Sequence, residues 1–152
     1  MKETERIAKL FEDLYNSTPW IDVNLLGTLK RISAKQASKK ISPNWNSIWE
    51  ITNHIISWRE NVLERVQGRV LQTPADNYFS EIRETTENDW KETLKKLEDS
   101  QQQWLQVLKD FNEDNFSKIY PNNQMTYYEH IHGILQHDAY HLGQIVLLAK
   151  VV

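Results

Sequence analysis

The last long periodic stretch of the chain reads YYEHIHGILQHDAYHLGQIVLLAK, residues 127–150. At its start, Thr126 and Glu129 have the spacing of a capping box, in which two side chains bond to free backbone N–H groups. One face of the stretch combines apolar residues with two histidines: Ile134, His137, His141, Ile145 and Leu148. Such a face is typical of a helix that packs into a core, so we predict a helix over residues 127–150.

Three earlier segments also predict long helices, over residues 2–16, 47–67 and 85–110. Each repeats apolar residues at spacings of three and four, as expected of a helix with one buried face. Gln101 is the one polar member of the third apolar stripe. Leucines within residues 20–41 predict a short helical segment after the first helix. Two further capping boxes are predicted, pairing Ser33 with Gln36 and Ser47 with Glu50.

These segments predict an all-α fold, a four-helix bundle in a single domain spanning residues 1–152. The chain has only four glycines and four prolines, which argues against a β sandwich or barrel with many turns. The polar loops at 69–84 and 112–125 are longer than a simple up-and-down bundle requires. We therefore expect at least one crossover connection, together with the short extra helical segment after the first helix.

Composition excludes several classes of function. The chain has no cysteine, which rules out disulfides, cysteine-type zinc sites and a thiol nucleophile of its own. A net charge of −3 without a basic cluster argues against nucleic acid as a partner. No apolar run reaches the roughly 20 residues that span a bilayer, and the charged start MKETERIAKL lacks the apolar run of a secretory signal. We expect a cytoplasmic protein without a membrane partner.

Three of the five histidines have a placement that suits a metal ion. His137 and His141 are four residues apart, so they lie one turn apart on one helix face. His54 lies on the inward face of the second long helix, between Ile51 and Trp58. A facing helix can thus supply a third nitrogen and leave one coordination position open for water or a substrate. The alternative is that these are ordinary core histidines held by hydrogen bonds.

The same geometry places four residues near these histidines. His130 lies about 10 Å along the helix from His137, too far to share an ion, and is a candidate for the cavity lining. Trp58 either lines the same cavity or fills the core. Asp138 points about 100° away from His137, which indicates a surface or supporting role rather than ligation. His132 falls on another side of the helix and is expected to pack or hydrogen-bond there.

Two segments resemble a known family: SIWEITNHIISWR at 47–59 and YYEHIHGILQHDAYHLGQIVLLAK at 127–150. Together with Pro19-Trp20 and the leucine-rich segment that follows, they resemble the DinB/YfiT-like superfamily over essentially the whole chain. The resemblance implies a DinB-like four-helix bundle, typically dimeric, with a divalent metal held by three histidines. Matched position by position, the implied ligands are His54, His137 and His141. His130 departs from the family pattern, which usually has an aliphatic residue there.

The resemblance also implies an activity. Family members include enzymes that transfer bacillithiol and enzymes that isomerise maleylpyruvate with mycothiol, and others are described as metal-dependent hydrolases. The leading expectation is a metal-dependent enzyme that transfers a low-molecular-weight thiol, taken from solution, to a small electrophilic substrate. The alternatives are a hydrolase that uses metal-bound water and a non-catalytic metal-binding dimer. Zinc, nickel, iron and copper all bind imidazole, and among them we expect zinc or nickel, with iron or copper as alternatives. No side chain is assigned a catalytic role.

Large apolar side chains predict self-association. The chain has six tryptophans, more than a bundle of this size readily hides. The segment after the first helix offers an apolar stripe that includes Trp20, Leu25, Leu26 and Leu29. Because exposed apolar patches usually mark interfaces and twofold dimers are the commonest closed assemblies, we expect a homodimer. The alternative is that this segment folds over the end of the bundle and buries its own residues.

Overall fold

The computed structural model of the protein describes all 152 residues and contains six α-helices. They are α1 (Glu3–Asn16), α2 (Leu25–Leu29), α3 (Ala34–Ser38), α4 (Ile48–Val66), α5 (Glu87–Asp110) and α6 (Tyr127–Leu148). A 3₁₀ turn at Glu113–Asn115 and an isolated bridge between Ile119 and Thr126 complete the secondary structure. The prediction of an all-α fold with four long helices is confirmed. None of the helices combines the length with the apolar composition that a bilayer crossing demands.

Side-chain caps mark where helices begin. The three predicted capping boxes are formed, and they pair Ser33 with Gln36, Ser47 with Glu50 and Thr126 with Glu129. Each box satisfies backbone N–H groups that the first helical turn leaves without a partner. The four long helices lie within two residues of their predicted bounds at either end.

In the bundle, α1 and α4 are diagonal to each other. α4 packs against α5 and α6, and α1 packs mainly against α5 and more lightly against α6. The connections from α1 to α4 and from α5 to α6 therefore both join diagonal helices, so the expected crossover is present. The extra segment predicted after α1 consists of two short helices, because Ser33 caps a new start after α2 has ended.

The core is one continuous cluster of buried apolar side chains. Within it, Phe11 stacks on Trp104 with 4.9 Å between ring centroids. Leu25 and Leu29 are fully buried in the same cluster, so this part of the segment after α1 folds back on its own bundle. Trp20, by contrast, is 97% exposed. The two leucines are thus not available as interface residues, and the homodimer stays a prediction.

A buried ion pair joins α4 to α6. Arg59 Nε donates to Asp138 Oδ2 over 2.6 Å, and neither side chain has exposed surface. Arg59 Nη1 also donates to Ser100 Oγ and Gln101 Oε1 on α5, at 3.3 and 3.0 Å. The guanidinium carbon lies 5.8 Å from the centre of the Phe11 ring on α1. The Arg59 side chain of α4 thus contacts the three other long helices.

The surface position considered for Asp138 is wrong. The residue lies four positions after Ile134 and four before Leu142, both buried, so it occupies the middle of the apolar stripe of α6. Burial of a carboxylate is costly unless a cation neutralises it. Arg59 provides that cation from another helix. The same network explains the polar Gln101 in the apolar stripe of α5.

Replacing one member of this pair should cost more stability than replacing both. In Arg59→Met the Asp138 carboxylate stays buried without its cation, so we expect the free energy of unfolding to fall by about 3–5 kcal/mol. The double variant Arg59→Met/Asp138→Leu leaves no buried charge and should unfold at close to the wild-type urea concentration. Urea titrations followed by circular dichroism measure both. A double variant as unstable as the single one would show that charge imbalance is not the cause.

Candidate metal centre

Three histidines meet between α4 and α6. His54 extends from α4, and His137 and His141 extend from successive turns of α6. One ring nitrogen of each lies within 4.8 Å of those of the other two, and the Nε2 atoms of His54 and His137 are 2.9 Å apart. Nitrogens that bind one tetrahedral ion at about 2.1 Å are about 3.4 Å apart, which falls within this range. The three histidines grouped from the sequence are therefore together in the fold.

Hydrogen bonds at Nδ1 orient the three rings. The Nδ1 partners are Asn77 O for His54, Gln144 Oε1 for His141 and Asp138 Oδ1 for His137, at 2.7, 2.7 and 3.4 Å. Because each partner atom is an oxygen acceptor, the proton of each neutral ring belongs on Nδ1. Each Nε2 then carries a free lone pair, which is the form of imidazole that binds a metal.

Burial favours the neutral form of two of the three rings, His54 and His141. It is the main cause that lowers the pKa of His54 to about 4, against the opposing effect of the Asn77 hydrogen bond. Burial also lowers the pKa of His141. Two nitrogen lone pairs 2.9 Å apart, on His54 and His137, repel each other unless a cation or a proton lies between them. The donor set therefore fits a divalent ion that accepts nitrogen ligands.

A tight turn in the connection from α4 to α5 supports His54 from outside the two helices. Phe79 stacks on the His54 ring with centroids 3.9 Å apart. Asn77 Oδ1 accepts from Trp58 Nε1 over 3.0 Å. Asn77 and Tyr78 have positive φ angles of 51° and 59°, a conformation that costs a tyrosine on the order of 1–3 kcal/mol. No local pattern predicts this support, because the His54–Asn77 bond joins residues 23 positions apart.

The three histidines line a cavity of about 580 Å³ between α4 and α6. The two residues proposed as cavity lining, Trp58 and His130, both contribute to its wall. His130 is buried, and its Nε2 lies 3.2 Å from Asn123 Oδ1. His132 lies outside the cavity and packs its ring against Tyr128, with centroids 4.3 Å apart. The structure thus separates His132 from the other histidines of α6.

Gln144 and Tyr140 extend the hydrogen bonding of His141 towards solvent. Gln144 Oε1 accepts from His141, and Gln144 Nε2 donates to Tyr140 Oη over 3.0 Å. Tyr140 is 65% exposed, so the chain of bonds runs from a buried ring to the surface. The sequence assigned neither residue a role. The signal was the three-residue spacing from His141 to Gln144, which places both on one helix face.

The fold and these side chains define a class of protein, a helical bundle with a three-histidine site suited to a metal ion. The chain matches the family model of the DinB superfamily over residues 22–145, most of its length, and therefore belongs to that superfamily. This confirms the resemblance seen in the sequence. No curated protein and no solved structure matches the chain.

Removing any one of the three ligand candidates should abolish tight metal binding. We expect His54→Ala, His137→Ala and His141→Ala each to lower the affinity for zinc or nickel by more than about 100-fold, since even loss of a residue that supports a ligand costs 10–100-fold. His132→Ala is the matched control and should keep the wild-type metal content. Elemental analysis measures occupancy, and circular dichroism checks the fold. Full occupancy in His137→Ala would exclude this site.

The metal-free protein should become less stable as the pH falls from about 6.5 to about 4. In that window the unfolded chain protonates His54 at its ordinary pKa of 6.5, whereas the folded protein holds the pKa at about 4. The free energy of unfolding therefore decreases with falling pH. Asn in place of His54 does not titrate, so His54→Asn should show a shallower decrease. Urea unfolding in the presence of a chelator measures both curves, and identical slopes would contradict the assignment.

Proposed function

We propose that the protein is a metal-dependent enzyme that transfers a low-molecular-weight thiol, of the bacillithiol or mycothiol type, to a small electrophilic substrate. One observation carries the proposal: three buried or half-buried imidazoles converge on one cavity in a chain that has no cysteine. A divalent metal held by His54, His137 and His141 would supply the Lewis acidity that lowers the pKa of a bound thiol. Because the chain has no thiol of its own, the nucleophile enters as a soluble molecule.

The cavity suits small molecules. Its volume of about 580 Å³ falls within the range of about 300–1,000 Å³ found for small-molecule sites. Phe79 stacks on His54, and the Trp58 ring lies 6.3 Å from the ring of His137, so aromatic surface covers the histidines. His54 and His141 are buried, so a cation held there would lie in a less polar environment than bulk water, which strengthens its electrostatic effect on a bound thiol.

Asp138 is a positioning residue in this scheme. Its Oδ1 faces Nδ1 of His137, while its Oδ2 is bonded to Arg59 at 2.6 Å. The carboxylate is thus held by a cation and is not free to become a ligand itself. It orients His137 and favours the tautomer whose Nε2 points into the site.

The proposal is tested by following thiol consumption. Protein loaded with zinc or nickel is incubated with bacillithiol, or with L-cysteine as a simpler thiol, and with monochlorobimane as the electrophile. We expect faster loss of thiol than with the same concentration of free metal ion. His137→Ala and chelator-treated protein should fall to the background rate, and His132→Ala should keep the activity.

Three outcomes separate the proposal from its alternatives. A metal-loaded protein that leaves every thiol untouched refutes thiol transfer. Metal-dependent cleavage of ester or amide substrates without any thiol would identify a hydrolase. Metal binding with neither reaction would identify a metal-binding module.

A further inference from the structure

Arg65 is the one cationic residue that lines the cavity, and it has no anionic partner. Only 6% of its surface is exposed, yet its side chain makes no hydrogen bond and no ion pair, and its Nε is enclosed without an acceptor. Glu129, the one acidic residue of the lining, instead accepts from the backbone N–H and hydroxyl of Thr126. A guanidinium carries five N–H donors, and an enclosed donor without an acceptor, as at Nε of Arg65, is costly.

Two aromatic rings hold the Arg65 guanidinium in place. Its Cζ lies 5.6 Å from the centre of the Trp58 ring and 5.3 Å from that of Tyr120. Tyr120 is itself fully buried, and its hydroxyl accepts from the backbone N–H of Leu71 over 2.6 Å. Contacts with ring faces orient a guanidinium but do not use its N–H donors. The guanidinium is therefore held between two rings while its N–H groups have no acceptor in the protein.

Arg65 and the three histidines lie in different parts of the same cavity. His54, Trp58 and Arg65 fall on one face of α4, and the seven residues from Trp58 to Arg65 span roughly 10 Å. The centre of the Trp58 ring also lies 6.3 Å from that of the His137 ring, so the indole lies between the histidines and the Arg65 guanidinium. Burial lowers the pKa of His130, and the charge of Arg65 lowers it further, as expected if the two face each other.

We propose that Arg65 binds an anionic group, a carboxylate or a phosphate, on the molecule whose other end reacts at the three histidines. Two parallel N–H donors of a planar guanidinium match two oxygens of either group. The ligand is an extended small molecule whose anionic group and reacting end lie on either side of the Trp58 indole, which neighbours both Arg65 and His137. The nature of that reacting end rests on the proposed function, whereas the anion subsite rests on Arg65 alone.

Small anions and a matched neutral molecule test the subsite. Succinate, inorganic phosphate and the uncharged diamide of succinate are titrated into the full-length protein at pH 8 by calorimetry, before and after treatment with a chelator. We expect succinate or phosphate to bind at least about tenfold more tightly than the diamide in both preparations, because Arg65 supplies charge-assisted hydrogen bonds. Tighter binding of succinate than of phosphate assigns a carboxylate, and the reverse assigns a phosphate.

Variants locate the binding. Arg65→Met should weaken anion binding by about tenfold or more, and Arg6→Met, which removes an exposed arginine of α1, should leave it unchanged. Circular dichroism establishes whether Arg65→Met keeps its helices. Equal anion binding by wild type and folded Arg65→Met overturns the proposal. Wild-type binding of both anions no tighter than that of the diamide also overturns it, whether or not the variant folds. The titrations need neither metal nor thiol, so they fail independently of the thiol-transfer assay.

Discussion

The ion pair between Arg59 and Asp138 sets how α4 and α6 lie against each other, and the site depends on that setting. Both charges are fully buried, so a shift of one helical turn, about 5.4 Å, would leave each without its partner. Asp138 directly follows His137, and Arg59 lies five residues after His54. A shift of α4 along α6 is therefore unfavourable because it breaks this ion pair. The same ion pair keeps the imidazoles of the two helices facing each other.

The candidate metal site is organised by residues other than the three histidines. Each histidine has its Nδ1 directed to an oxygen from a different source: a loop carbonyl, a side-chain amide and a buried carboxylate. These partners select one tautomer and one ring orientation. The arrangement carries a cost, since Tyr78 adopts a positive φ and two nitrogen lone pairs lie 2.9 Å apart. Costs of this kind are expected where a site is shaped before its ligand arrives.

The cavity combines two kinds of chemistry along one helix face. His54, which groups with His137 and His141 of α6, lies in the first half of α4, and the unpaired cation Arg65 lies near the end of α4. Trp58 contacts both parts, through the ring of His137 and the guanidinium of Arg65. Under the two proposals, a molecule that filled this space would be bound at its charged end by Arg65 and would react at its other end, so binding and reaction would involve different residues.

Local patterns in the sequence were enough to predict the four long helices, because periodicity and capping boxes act over a few residues. The pairing of His137 with His141 is also local, and His54 could be added because its face of α4 was recognisable. The roles of Arg59 and Asn77, and the buried ion pair of Asp138, were not predictable in this way. Arg59 and Asp138 are 79 positions apart, and a charged residue in an apolar stripe is stable only if its partner arrives from another helix. Such partnerships exist only once the bundle has brought the helices together, so the tertiary structure alone reveals them.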